Sequence, residues 1–567
     1  MLKFPNFAVS RRTTLAGLAG ATFLSTLPMR ALAQDQGDNP AFRHGVASGD
    51  PTHNAVVLWT RIEPEHGTGD IGWELARDVQ FSDIVQGGVA QTGEARDYTI
   101  KILATGLQPG ATYYYRFRKG EFVSPVGRTR TIPAGHLDRL SIALASCSNF
   151  AFGFFNAYDA IAKDPEVDFV LHTGDYIYEY GADGWGGDLS RKIGRVHEPA
   201  HEIISLADYR QRHAQYKRDA GSKAMHAAHP LMACWDDHES ANNPWTGGAE
   251  NHQPETEGSW EDRRAASIQA YYEWMPIREP EWLEIEGRTR AQFWRTYSFG
   301  DLATMVTLET RHTARARQID YMDYVDKIAS EADAAHLRDA VIGAEGRTML
   351  SPEMEADLSD ALSASVAERQ PWRLIGNQIP IARTPVPDLV AKGVLPDPSA
   401  DPQASFAAKA LAWKGKWNLP FYPDTWDGYP WARERFYDLA RKAGASDLIF
   451  LTGDSHSFWA NSLFDKTGNP AGIELGTSGI SSPGDFISSG FGPGLSQSLD
   501  RAFAEYVPEV LWTDNMHNGY VRLDLERDHA RASFIAVDTV LTTAYRVGTL
   551  RRYAVNKRDG ALSLDLI

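Results

Sequence analysis

Val167-Asp168-Phe169-Val170-Leu171-His172-Thr173-Gly174-Asp175-Tyr176-Ile177-Tyr178-Glu179-Tyr180 is the stretch from which the fold can be read. The apolar run 169–171 has the length and content of a buried strand. It stops at Gly174, and Asp175 and Tyr178 follow almost at once. A carboxylate and a phenol just past the carboxyl end of a strand stand where open α/β sheets place their ligands.

Working outward, the neighbouring segments repeat that design. Upstream, residues 140–145 form an apolar strand ending in Ser146-Cys147-Ser148-Asn149, and a helix begins at 154–161 before the strand that precedes Asp175. This βαβ spacing implies a parallel sheet. Downstream, 202–228 and 259–275 read as helices, the second with Ile268, Tyr271, Tyr272 and Met275 on one face. Between them a strand at 231–235 runs into Asp236-Asp237-His238-Glu239, with Asn242 and Asn243 just beyond. Later strands are expected at 304–308, 373–375, 448–451, 521–525 and 532–537, the third of these ending in Gly453-Asp454-Ser455-His456. Residues 385–430, rich in Pro, Asp and Trp, look like an ordered insertion or lid.

The amino-terminal part is different. Residues 42–133 hold β-branched and aromatic runs between Gly, Pro and Asp, such as 55–61 and 113–118, with a turn at 106–110. Short strands at this spacing predict an immunoglobulin-like or fibronectin-like sandwich. The division expected is a signal segment at 1–33, a β-sandwich at 40–135, an α/β catalytic domain at 138–550 and a tail at 551–567.

Residues 1–33 have the pattern of an export signal. Ser10-Arg11-Arg12-Thr13-Thr14-Leu15 is a twin-arginine string, and Ala31-Leu32-Ala33 offers a cleavage site. The stretch 15–27 is too short and too rich in Gly, Thr and Ser to span a membrane, which takes ~20 apolar residues. The expectation is therefore a soluble periplasmic or secreted protein, with the twin-arginine export machinery as a partner. Loss of that segment's four cations takes the formal charge from −17 to −21. Such a field disfavours nucleic acid and anionic membranes, and no basic run offsets it.

The strand ends carry metal-ligand chemistry. Asp175, Asp237, Asp454 and Asn242 offer hard oxygen donors suited to calcium, magnesium or manganese. Cys147 as thiolate and Tyr178 as phenolate suit a highly charged ion such as ferric iron, and His456 adds an imidazole. A mixed set fits two or more ions bridged by one carboxylate, for which Asp175 is the natural choice. Such a pair holds a hydroxide and a phosphoryl oxygen for in-line attack. Of the two cysteines, Cys147 reads as a ligand rather than half of a disulfide, and Cys234 as a small hydrophobe in a strand.

Gly-Asp-x-x-Tyr at 174–178, Asp-Asp-His-Glu at 236–239 and Gly-Asp-x-His at 453–456 resemble the calcineurin-like metallophosphatases. The longer strings at 172–179, 235–243, 145–148, 374–378 and 451–456 are similar to the PhoD-type alkaline phosphatase and phosphodiesterase family, as are 45–51 and 58–61. The resemblance implies a metallophosphatase sandwich of mixed sheets flanked by helices, with iron(III) and one or two calcium ions in one site. It implies that Cys147, Asp175, Tyr178 and His456 hold iron. It implies that Asp175, Asp237, Asn242 or Asn243, and Asp454 serve calcium, with Asn377 a further ligand. His238 is expected to orient phosphate or protonate the leaving oxygen, and Arg311 of Glu309-Thr310-Arg311 to contact phosphate. Glu309 stands where the family has Asp, and His517-Asn518-Gly519-Tyr520 where Asn-His-Gly-Tyr is expected.

The activity this implies is hydrolysis of phosphate mono- or diesters, with a secreted phospholipase D-like phosphodiesterase as the alternative. A serine hydrolase lacks a G-x-S-x-G elbow at a strand end, and a nucleotide-binding protein lacks a P-loop. A phosphate-binding protein without turnover does not call for so many anionic ligands.

Overall fold

The computed structural model describes residues 39–567 apart from 68, 286–287 and 559, so the expected signal segment lies outside the described residues. Two large sheets face each other. The first has ten strands. Its centre is the parallel trio Arg139–Ala145, Phe169–His172 and Leu231–Ala233. The second has seven strands, and its centre is the parallel set Ala303–Thr307, Trp372–Gly376, Leu448–Thr452 and Pro470–Gly476. Apart from the exposed first residues Arg139 and Pro470, both central sets are buried, as expected of parallel strands covered on two faces.

Between the sheets, Phe169, Leu171, Leu144 and Leu523 of the first pack with Met305, Leu374, Ile449 and Leu451 of the second. On the far side of the first sheet, Val170, Ala143 and Leu231 meet the helices Asn156–Ala162 and Trp260–Trp274. The second sheet is covered by Pro352–Ala367 and Pro430–Lys442 through Leu358, Leu362 and Phe436. The alternation along 169–171 thus sends Phe169 and Leu171 inward and Val170 outward. The layers are helix, sheet, sheet, helix, and the carboxyl ends of the parallel strands of both sheets converge on one edge.

Two expectations need correction. Residues 551–567 are not a tail: Val547–Arg558 and Ala561–Leu566 are the two outer strands of the ten-stranded sheet. Alternation at Tyr553, Val555, Leu562 and Leu564, all in the inter-sheet core, is the signal that marks them. The β-rich amino-terminal region is the expected all-β sandwich ahead of the catalytic domain. Val46–Gly49, Ala55–Arg61 and Thr99–Thr105 extend the same sheet beyond Leu231–Ala233, while Ile71–Ala76, Ile84–Ala90, Thr112–Lys119, Phe122–Val123 and Gly127–Arg130 form the opposing sheet of the sandwich. Residues 202–228 are two helices, Leu206–Lys217 and Ala220–Ala228, because Asp219 caps a new start by accepting from Gly221 and Ser222 N–H. In the stretch 385–430, the helix Phe406–Lys416 adds Leu411 to an apolar cluster with Phe503 of Gly492–Tyr506. No helix of the described residues is long and apolar enough to cross a membrane.

Asp50 ties these parts together. Buried at the end of Val46–Gly49, it accepts from Arg278 Nε at 2.9 Å, Arg278 N at 3.0 Å and Tyr297 Oη at 3.0 Å. Burial opposes its ionisation, but Arg278 and Arg295 outweigh burial and hold the carboxyl below its ordinary value. Asp50→Ala is expected to cost about 3 kcal/mol in urea denaturation, since it strands a buried cation. Because the folded pKa is depressed, this contribution is complete above an unfolded pKa of ~4 and is lost as pH falls through the lower folded value. A cost below ~0.5 kcal/mol at neutral pH would show that Asp50 is not a structural tie.

Candidate metal centre

The converging strand ends bring most of the expected ligands together. Cys147, Asp175 and His456 offer ligand atoms within 4.8 Å of one another, as do Asp175, Asp237 and His238, and Asp236, Asp237 and Asp454. Asp175 belongs to the first two groups and Asp237 to the last two, so the three form one chain of sites. Tyr178 joins the first: its hydroxyl donates to Asp175 Oδ2 at 2.9 Å and lies 3.1 Å from His456 Nε2. Both cysteines are free, and Cys147 is buried among the ligands.

The backbone is strained at these positions. Cys147, Asp175, Asn243, Asp454 and His456 have φ of 61, 56, 51, 63 and 53°, values that L-residues avoid at a cost of about 1–3 kcal/mol each. In both Gly-Asp pairs the glycine lets the loops close. A Cβ on Gly174, itself at φ 102°, would lie 2.3 Å from Asp236 N, and one on Gly453 would lie 2.2 Å from Ser146 Oγ. Three buried glutamates then hold the strained loops. Glu239 accepts from the N–H groups of Asp175 at 3.1 Å, Tyr176 at 2.6 Å and Asp236 at 2.8 Å. Glu309 accepts from Arg311, His312 and Thr313 N–H, so the longer acid in place of Asp closes its own turn. Glu179 accepts from Asn242 N at 2.8 Å and Asn251 Nδ2 at 2.8 Å, and its other oxygen lies 2.7 Å from His238 Nδ1.

His238 is thereby pinned, its ring stacked on Tyr178 at 4.2 Å and its backbone N–H donating to Asp175 Oδ1 at 3.4 Å. Burial would lower its pKa, but Asp237, Glu179 and Asp175 push it well above the usual histidine range. His456 is stacked on Trp185 at 17° and 5.5 Å, and burial drops its pKa to about 3, leaving a neutral imidazole suited to a cation.

Two expected residues are engaged by other partners. Arg311 has no exposed surface: its Nε lies 2.5 Å from Asp236 Oδ1, its Nη2 donates to Asp454 Oδ1 at 2.9 Å, and its Nη1 is buried without a hydrogen-bond partner. It is a built-in counter-cation for two of the acids. Asn377 is turned to other work, its amide donating to Ile379 O at 2.6 Å and accepting from Trp426 Nε1 at 3.2 Å. Asn242 and Asn243 sit beside Asp237 through the bond from Asn243 N to Asp237 Oδ2 at 2.9 Å, and the Asn243 amide donates to Glu250.

Glu179, Asp236 and Glu239 also belong to the site and stand inside or beside the quoted motifs. Ser482, which donates to Tyr178 Oη at 2.8 Å, is reached only because Asn518 Nδ2 donates to Gly479 O and Ser482 O and so holds that loop. No local signal marks it.

The donor set fits cations. Asp236 Oδ2, Asp237 Oδ1 and His456 Nδ1 are buried without a hydrogen-bond partner. Burial, with like charges adding, pushes the carboxyls of Asp175 and Asp454 well above the usual range and Asp236 to about 6. Burial and Asp175 likewise raise the Cys147 thiol, and burial raises the Tyr178 phenol. Bound cations invert that preference and favour the ionised ligands.

Comparison with known proteins places the chain in a family. The family profile described as PhoD-like phosphatase matches residues 142–534, and the profile of its N-terminal domain matches residues 28–133. Alkaline phosphatase D of Bacillus subtilis (strain 168) is 32% identical over 591 aligned residues, covering 99% of this chain and 90% of the relative. A solved structure of PhoD is 30% identical and superposes with a TM-score of 0.72 over 92% of both chains.

Gly174→Ala is expected to lower folding stability by about 2–4 kcal/mol, from positive φ plus backbone overlap with Asp236. Thermal melts of the purified variant measure this. A melting temperature within a degree of wild type would mean that the loop does not need its glycine.

Proposed function

The chain belongs to the PhoD-like phosphatase family, and from that premise we propose that it is an exported, metal-dependent phosphoesterase of the alkaline phosphatase D type, acting on phosphate mono- or diesters. The observation that carries the reading is the sharing of Asp175 between two of the three ligand groups. A shared carboxylate is what two adjacent cations need. Cys147, Asp175, Tyr178 and His456 would hold iron(III), whose charge suits thiolate and phenolate. Asp175, Asp237, Asp454 and an asparagine oxygen from Asn242 or Asn243 would hold one or two calcium ions. When bound, these ions supply Lewis acidity to a phosphoryl oxygen and acidify the attacking water.

The chain's own groups do the rest. Glu179 fixes the His238 ring through Nδ1, which leaves Nε2 to face the acids 3.9 Å from Asp237 Oδ2. From there His238 holds a proton for the departing alkoxide or donates to a phosphoryl oxygen. Arg311 neutralises Asp236 and Asp454 without entering the reaction, and it keeps Asp454 turned toward Asp237. Trp185, lying on His456, shields that edge of the site from water. The twin-arginine string at 10–15, with the A-x-A site at 31–33, supports export of the folded protein to the periplasm or beyond.

Assays on 4-nitrophenyl phosphate, bis(4-nitrophenyl) phosphate and phosphatidylcholine, with metal content determined on the same preparation, test this reading. Chelator-sensitive hydrolysis of at least one ester is expected, and the ratio of rates separates phosphatase from phospholipase D-like activity. Metal-replete protein that cleaves none of the three contradicts it. His238→Ala is expected to lower kcat roughly 10²- to 10⁴-fold while iron content stays within error. An unchanged kcat would remove His238 from the reaction.

A further inference from the structure

The turn at 479–482 makes contacts with the ligand groups that metal binding does not by itself explain. It follows the strand Pro470–Gly476, and Gly479 permits its tight return, since a Cβ there would lie 2.6 Å from Ser482 O. Ile480 N donates to Ser146 O at 2.9 Å, Ser482 N to Cys147 O at 3.3 Å, and Ser481 Oγ to Asn149 O at 2.7 Å. The turn thus grips the backbone on both sides of the Cys147 thiol. Asn518, the first residue of the strand Asn518–Glu526, ties the turn down by donating to Gly479 O at 2.9 Å and to Ser482 O at 2.7 Å.

Held in this way, Ser482 has no exposed surface, and its hydroxyl donates to Tyr178 Oη at 2.8 Å. Tyr178 Oη has two other partners, Asp175 Oδ2 at 2.9 Å and His456 Nε2 at 3.1 Å. Both of those belong to the group of ligand atoms around Cys147. With Tyr178 as a phenolate, neither can donate to its oxygen. A carboxylate carries no proton, and an imidazole nitrogen that serves a cation has none on that atom. Ser482 is then the one donor of the three. A hydrogen bond to an ionised oxygen is about twice as strong as one between neutral groups. Such partners orient a metal ligand and set how strongly it donates.

We propose that Ser482 is a positioning residue for the Tyr178 phenolate, whose oxygen its hydroxyl fixes in place and relieves of charge. The phenolate then gives less charge to iron(III), and more of the ion's Lewis acidity is left for a phosphoryl oxygen. Asn518 acts through Ser482 by holding the turn, which gives the string His517-Asn518-Gly519-Tyr520 a purpose at the site. The inference rests on the reading that Tyr178 serves iron.

Iron content, the visible phenolate-to-iron charge-transfer band and the iron reduction potential, measured on metal-loaded wild type, Ser482→Ala and Ser482→Thr, test the proposal. Ser482→Ala is expected to keep its iron while the band moves to longer wavelength and the potential falls, because the unrelieved phenolate is the stronger donor. Ser482→Thr retains the hydroxyl and is expected to return both to wild type. Iron-loaded Ser482→Ala with the wild-type band and potential overturns the proposal, as does Ser482→Thr that behaves like Ser482→Ala. If Ser482→Ala does not fold or takes up no iron, Asn518→Ala decides, since it keeps the hydroxyl but frees its turn. A shift in the same direction supports the proposal, and an unchanged band overturns it. Wild type that hydrolyses esters without showing a phenolate band overturns the proposal and leaves the phosphoesterase reading standing. Wild type with neither iron nor hydrolysis ends both.

Discussion

The structure turns on the crowding of like charges. Asp175, Asp236, Asp237 and Asp454 reach one buried place from the ends of three strands in two sheets. Carboxylates held together out of water cannot all ionise unless positive charge is brought among them. The chain supplies part of it through Arg311, fixed to Asp236 and Asp454, and through His238, held by Glu179. His238 also stands beside the group around Cys147, Tyr178 and His456, stacked on Tyr178, and that group carries the softer and phenolic donors. Cations bound among these ligands would relieve the crowding that remains.

Holding this arrangement costs backbone energy, and much of the surrounding sequence is there to offset the cost. Five of the site residues sit at positive φ. Glu239 spans three N–H groups from two loops, and Glu309 closes the turn that aims Arg311. These acids fix the loops, because each satisfies donors that burial would otherwise leave unpaired. The ten-stranded sheet extends this rigidity into the amino-terminal sandwich, where Asp50 binds Arg278 and Tyr297 across the junction. The site is thus supported from both sheets and from the sandwich beside them.

Much of the site was legible because its chemistry is local to strand ends. Cys147, Asp175, Tyr178, Asp237, His238, Asp454 and His456 each follow an apolar run, and a parallel sheet brings such positions together whatever their separation in sequence. The departures arose where an interaction is non-local. Arg311 reads as a free cation in its own segment, and only the fold shows Asp236 and Asp454 closing on it. Asn377 occupies a strand end, yet Trp426 from a distant loop claims its amide. Residues 551–567 alternate correctly for strands, but edge strands need a partner, and nothing local to Ala530–Val537 announces its pairing with them. The amino-terminal sandwich was recognised by its turns, while its junction with Leu231–Ala233 rests on a parallel pairing that no local pattern announces.

The central claim is that Asp175 serves two cations at once. Elemental analysis of wild type and Asp175→Asn, purified side by side from the same expression conditions, measures it most directly. The account predicts that the variant loses both iron and calcium, together with phosphoesterase activity, while its circular dichroism stays that of a folded protein. A folded Asp175→Asn protein that keeps both metals at wild-type stoichiometry would contradict it.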